Sequence, residues 1–197
     1  MALARGKSKS PDVSVGMIGL GCAKNLVDGE VMLGLLRRDG VTVTSDPTRA
    51  DVVIVNTCGF ITEAKKESLE AILEVAEARR QGSVKRLVVA GCMVQAYAKE
   101  MQQEIPEIDA FVGLDQLEGI LEAVRGESDG SLPDQHGAVR LYDHSQPRLL
   151  STKGYAYLKV AEGCNNPCTF CHIPAMRGQY RSRRLGDLVA DARRLES

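Results

Sequence analysis

Three short aliphatic runs, Val15 to Leu20, Val52 to Val55 and Leu87 to Ala90, lack polar alternation. That is the pattern of strands covered on both faces. Each run leads into a cysteine with a glycine beside or near it. Segments of helical period follow. Asn25 to Asp39 carries Val27, Val31 and Leu35 four apart and is stopped by Gly40. A longer helix is predicted from about Thr62 to Arg80, with Leu69, Ile72, Leu73 and Ala76 on one face. A third begins beyond Cys92 and ends near Glu104, before Pro106. Ala110 to Val112 reads as a further strand. Asp115 to Arg125 reads as a helix, with Asp115 and Glu118 as a capping pair and Leu117, Ile120, Leu121 and Val124 as its apolar stripe.

Strands alternating with helices predict an α/β fold, a doubly wound parallel sheet with right-handed crossovers and five flavodoxin-like strands. Gly126 to Gly137 (GESDGSLPDQHG) is polar and aperiodic and reads as a linker. Beyond it, strands are expected at Val139 to Tyr142 and Tyr155 to Val160, and a helix from Gly186. The expected division is a tail over 1–12, a first domain over 13–125, a linker with a short strand over 126–150, and the start of a second domain over 151–197.

Composition narrows this little. The chain has 197 residues, 44% of them hydrophobic, enough to bury a core, and only 4% aromatic, so that core is aliphatic. A formal charge of -1 supplies no global basic field, and no direct nucleic-acid contact is expected. No apolar run reaches membrane-spanning length and the first ten residues lack a secretory apolar core, so a cytoplasmic protein with no membrane partner is expected. In a reducing compartment six cysteines point to metal binding or catalysis rather than to disulfides.

The cysteines fall into two groups. Cys164, Cys168 and Cys171 form C-x3-C-x2-C directly after a predicted strand. Three thiolates on one loop can hold three irons of a 4Fe-4S cluster and leave the fourth open. A zinc site or an ordinary ferredoxin loop normally brings four ligands, and His172, the available fourth, is awkward because it adjoins Cys171. Cys22, Cys58 and Cys92 are 36 and 34 residues apart, too far for a local loop. Each follows a predicted strand, and in an open parallel sheet the carboxyl ends of strands share one crevice. With strand order 2-1-3-4-5 the outer pair would start about 10 Å apart, and Gly21, Gly59 and Gly91 would allow close backbone approach. Spacing alone leaves open a joint ligand site or three small buried hydrophobes.

Taken together, GLGCAKNLVDGE, VIVNTCGFITEAKKESLEAI, YAYLKVAEGCNNPCTFCHIPAMRG and the following RSR resemble the methylthiotransferase family of radical S-adenosylmethionine enzymes. AKNLVD and CGFI are closer to the branch that modifies a ribosomal protein than to the tRNA-modifying branch. The resemblance implies an auxiliary 4Fe-4S cluster on Cys22, Cys58 and Cys92, and a second 4Fe-4S cluster on Cys164, Cys168 and Cys171 that binds S-adenosyl-L-methionine, with Phe170 beside the adenine. It further implies an aspartate β-carbon of a small-subunit ribosomal protein as substrate, and a flavodoxin or ferredoxin as electron donor. Arg177, Arg181, Arg183 and Arg184 form a local basic group that contacts carboxylates of substrate or cofactor, forms a solvated face, or makes ion pairs between domains. Members of the family continue through the rest of a radical barrel and a β domain. A chain stopping at Ser197, just as that barrel starts, is therefore expected to be inactive by itself.

Overall fold

The computed structural model describes residues 13–134, 139 and 141–196, so the expected tail, the end of the linker and Arg140 lie outside the described residues. Its centre is a five-stranded sheet of order β2-β1-β3-β4-β5, every pair parallel. The strands are β1 (Ser14–Gly19), β2 (Thr42–Val43), β3 (Val52–Thr57), β4 (Arg86–Gly91) and β5 (Ala110–Val112). The helices are α1 (Ala23–Arg38) after β1, α2 (Thr62–Arg80) after β3, α3 (Cys92–Glu104) after β4 and α4 (Ile120–Arg125) after β5. This is the expected doubly wound, flavodoxin-like arrangement. The fifth strand, which the apolar pattern does not locate, is the two-residue edge β2.

Burial follows the period of two in the strands. Ile54, Val88 and Ala90 point into an aliphatic cluster under α1 and α4 with Val27, Val31, Leu35 and Ile120. Val53, Val55, Leu87 and Val89 point the other way, against Ile72, Val75 and Ala76 of α2 and Val94 and Ala98 of α3. All six residues of β3 are buried because both faces are covered. The face of α2 differs from the expectation. Ser68, Ile72, Val75 and Ala76 are buried, whereas Leu69 and Leu73 are 38% and 47% exposed. The buried stripe is rotated by about one residue, and the two leucines sit on its rim. The expected helix from Asp115 begins instead as a 3-10 turn at Leu117–Gly119, and no side-chain cap forms at either start.

After α4 no regular element occurs among the described residues before β6 (Ala161–Glu162), which pairs antiparallel with β7 (Arg181–Ser182); between them lies α5 (Ile173–Arg177), and α6 (Leu185–Glu196) follows. The strands expected at Val139 to Tyr142 and Tyr155 to Val160 do not form among the described residues. A strand needs a neighbour for its ladder, and among the described residues neither segment lies in one, the Val160 carbonyl alone accepting a backbone hydrogen bond, from Arg183 N-H at 3.0 Å. Tyr155, Tyr157 and Val160 are 58%, 44% and 53% exposed. No helix among the described residues is long and apolar enough to cross a membrane.

Candidate functional site

The first three cysteines stand on adjoining loops at the carboxyl edge of the sheet. Cys22 is the exposed residue before α1, Cys58 follows β3 and is buried, and Cys92 is buried as the first residue of α3, with no loop between it and β4. That abrupt strand-to-helix junction requires Gly91 at φ +96° and ψ -159°, a region open essentially to glycine alone. A Cβ there would lie 2.6 Å from Asn56 Oδ1 and 2.7 Å from the Thr57 carbonyl. The neighbouring loops are as close. A Cβ at Gly21 would stand 2.8 Å from Cys58 Cβ and 3.1 Å from its Sγ, and one at Gly59 would stand 3.2 Å from Met93 Cα.

Two buried asparagines sew these loops together. Asn25 Nδ2 donates to the carbonyls of Leu20 (2.6 Å), Asn56 (3.2 Å) and Thr57 (3.2 Å), while Asn56 Nδ2 donates back to the Asn25 carbonyl at 2.8 Å. Thr57 Oγ1 donates to the Ala90 carbonyl at 2.6 Å, and the Ser68 hydroxyl accepts from Cys58 N-H at 2.9 Å. The Oδ1 atoms of both asparagines are buried without a hydrogen-bond donor. Beside them a cavity of about 300 Å³ opens, bordered by Cys22, Asn56, Glu30, Tyr155 and Tyr157.

The second group lies on one loop between β6 and α5. Cys164 N-H donates to the Gly178 carbonyl and Cys171 N-H to the Cys168 carbonyl, both at 3.1 Å. Cys164 and Cys171 are half-buried and Cys168 is exposed. Phe170 is 80% exposed and His172 is also exposed, so neither is enclosed by a described residue. Among the described residues no group of three or more His, Cys, Asp or Glu side chains gathers around a position for a single metal ion. Thiolates that each take a different iron of a cluster do not have to share one ion. Three soft thiols per group, with no carboxylate or imidazole among them, fit an iron-sulfur cluster better than a hard cation.

Between the two groups lies a buried cluster of charges. Asp28 of α1, fully buried, accepts from Tyr142 Oη at 2.6 Å, Lys159 Nζ at 2.6 Å and Arg177 at 2.8 Å. Arg177 also reaches Glu162 at 2.9 Å, Lys159 pairs with Glu162, and Lys159 Nζ stands 4.2 Å from the centre of the Tyr142 ring. Two buried carboxylates thus face two buried cations, and the part-exposed Lys24 adds a third cation 3.6 Å from Glu162. Burial by itself would raise the carboxyl groups of Asp28 and Glu162, but Lys159 and Arg177 outweigh it and hold both below their ordinary range. Burial and the adjacent Asp28 charge push the Tyr142 phenol well above its ordinary value. The Cys92 thiol, raised chiefly by burial and opposed by Arg177, is pushed up to about 11. Arg177 donates to its Sγ at 3.2 Å.

A second tether runs from the same helix. Glu30 binds Arg148 at 2.5 Å and accepts from the backbone and hydroxyl of Ser151 at 3.1 and 3.0 Å. Of the local basic group, Arg177 and Arg183 make ion pairs, the latter with Asp191 at 2.9 Å. Arg181 donates to the Val139 carbonyl, and Arg184 is exposed. The Asp28–Arg177 pair therefore ties α1, beside the five-stranded sheet, to α5, beside the second cysteine group.

Asn25, Asp28 and Glu30 are missing from the residues predicted to form the site. Only Asp28 carries a local signal: it falls at nearly the same angle as Leu35 on the stripe that Val27 and Val31 bury, where an unpaired polar side chain would be costly.

An α/β domain of this topology, with cysteines on three neighbouring strand ends and a further cysteine triad docked beside it, defines the class. A protein family described as "Uncharacterized protein family UPF0004" matches residues 14–113, the whole of β1 to β5, and the chain belongs to that family. Its likeness is to the amino-terminal part of the ribosomal-protein branch of methylthiotransferases. The protein named "Ribosomal protein uS12 methylthiotransferase RimO" from Desulforamulus reducens is 48% identical over 187 residues, covering 92% of this chain and 42% of the relative. Its namesake from Symbiobacterium thermophilum is 52% identical over 185 residues, covering 93% and 38%. That from Solibacter usitatus is 48% identical over 184 residues, covering 93% and 39%. The chain thus spans about two fifths of the length of these curated relatives.

Proposed function

We propose that the chain is the amino-terminal part of a radical S-adenosylmethionine methylthiotransferase that modifies the β-carbon of an aspartate in ribosomal protein uS12. The observation that carries the reading is the meeting of the Cys22, Cys58 and Cys92 loops at one sheet edge, in a chain this similar to proteins of that name. Residues 13–125 form the auxiliary-cluster domain and 151–197 the start of the radical domain. Cys22, Cys58 and Cys92 hold one 4Fe-4S cluster, and Cys164, Cys168 and Cys171 the other, with Phe170 beside the adenine of S-adenosylmethionine. When bound, the second group with its cofactor supplies a radical able to take hydrogen from a carbon that has no acidic proton for a base, and the first supplies sulfur.

The chain's own residues position these parts. Asn25 fixes the Cys22 and Cys58 loops against each other, Gly91 lets Cys92 open a helix at the same edge, and Asp28 with Glu162 anchors the second loop through Arg177 and Lys159. A flavodoxin or ferredoxin provides electrons.

Anaerobic reconstitution tests the ligand assignment. The chain should take up about eight irons, and about four once Cys164, Cys168 and Cys171 are all alanine. Zinc in place of iron, or iron content indifferent to these changes, refutes it. The substrate is tested by mass spectrometry of uS12 and tRNA from the source organism with the gene deleted. Loss of a methylthio group from uS12, restored by the gene but not by its Cys58→Ala form, supports the reading. Loss from tRNA alone overturns it.

A further inference from the structure

Arg177 does more than its ion pairs require. It closes α5, six residues after Cys171, and is 3% exposed. Its guanidinium is fixed on one side by Glu162 at 2.9 Å and on another by Asp28 at 2.8 Å, and it still directs an N-H at Cys92 Sγ, 3.2 Å away. Lys159 pairs with the same two carboxylates and Lys24 reaches Glu162 as well, so both carboxylates are already served and the guanidinium has no further carboxylate to satisfy. The chain has another buried arginine, Arg183, which pairs with Asp191 at 2.9 Å and donates to the Lys159 carbonyl at 3.0 Å. That pair ties the same segment together without touching a cysteine. Docking alone therefore does not account for the placement of Arg177.

We propose that Arg177 is a positioning residue of the first cysteine site: delivered by the loop of the second site, its guanidinium orients the Cys92 sulfur, so that the first site is complete only when α5 is docked. The proposal rests on the cluster assignment above and deepens it. A cation that donates a hydrogen bond to a ligand sulfur favours the form of a cluster carrying more negative charge, which is the reduced one. Arginine keeps its charge in such a site, and its planar fork serves three acceptors that an ammonium reaches less well.

The test uses the whole chain with Cys164, Cys168 and Cys171 replaced by alanine, so that iron reports on the first site alone. Iron content and the midpoint potential, followed by electron paramagnetic resonance, are measured in this parent and with Arg177→Met, Arg177→Lys or Arg183→Met added. Arg177→Met should shift the potential to more negative values, Arg177→Lys should fall between it and the parent, and Arg183→Met should leave the potential unchanged. Loss of iron uptake in Arg177→Met with normal uptake in Arg183→Met supports the proposal equally. If both methionine variants lose iron, Arg177→Lys decides, and a potential equal to the parent's overturns the proposal. A parent that loads iron but whose potential ignores Arg177→Met, or follows Arg183→Met as closely, refutes this inference alone. A parent that loads no iron refutes the cluster assignment and the inference with it.

Discussion

Replacing Asp28 by asparagine keeps the shape of the side chain and removes its charge. In the native chain this carboxylate is fully buried and receives three donors within 2.8 Å, two of them cations. In Asp28→Asn, Lys159 and Arg177 remain buried with only Glu162 to share. Breaking a buried ion pair from one side typically costs about 3–5 kcal/mol, because the stranded charge loses its partner without regaining water. For a chain of this size each kcal/mol lowers the melting temperature by about 2–4 °C, so a fall of roughly 6–20 °C at pH 7 is expected in thermal unfolding followed by circular dichroism. The effect has a pH signature. Because the folded state holds Asp28 below its ordinary range, the stability it contributes is complete above the unfolded carboxyl value of about 3.9 and is lost as pH falls through the folded value. The gap between the parent and Asp28→Asn should therefore narrow below about pH 4. Removing all four charges together, as Asp28→Leu, Lys159→Met, Glu162→Leu and Arg177→Met, should recover much of the loss, since no orphan charge remains. A variant within about 1 kcal/mol of the parent at pH 7, or a gap that persists unchanged to pH 3, refutes the reasoning.

Gly91→Ala should destabilise far more than Gly82→Ala in urea unfolding: both glycines have positive φ, about 1–2 kcal/mol for an alanine, but only at Gly91 would the new Cβ collide with Asn56 and Thr57. Equal effects would show that the junction tolerates displacement. Asn25→Ala should cost about 1–3 kcal/mol by the same assay, because two buried carbonyls and one part-buried carbonyl lose a shared donor. Limited proteolysis should cut first within 126–134, which is largely exposed and carries no helix or strand, and early cleavage inside α2 would contradict this.

The first domain was legible because its instructions are local. Uniform aliphatic runs gave β3 and β4, four-residue spacing gave α1, and the recurrence of cysteine at strand ends predicted that Cys22, Cys58 and Cys92 share one sheet edge. Short range also explains the errors. The α2 stripe was taken from its leucines, whereas Ser68 faces inward because its hydroxyl binds the Cys58 backbone ten residues earlier. Tyr155 to Val160 has strand propensity but no partner strand among the described residues. Glu30 looks like an ordinary surface charge on a helix, and although Asp28 falls on the buried stripe nothing local names its partners; the partners of the two lie 118 to 121 and 114 to 149 residues later in the chain. Arg177 was grouped with neighbouring arginines by proximity in sequence. Nothing local distinguishes the one that reaches a cysteine.

Helix α1 acts as a ruler. In sequence order Asn25 meets the β3 loop, Asp28 the Tyr142–Arg177 cluster and Glu30 the Arg148 side chain, while a Cβ at Gly34 would lie 2.5 Å from the Pro147 carbonyl. Each residue along a helix turns the next by about 100° and advances it about 1.5 Å. Deleting or inserting one residue between Cys22 and Asp28 would swing every later contact away from its partner at once, whereas one residue more in the exposed turn at Gly82 would displace none of them. The interval from Cys22 to Gly34 is therefore a fixed length in any working variant of this protein, and changes of loop length belong at the opposite edge of the sheet.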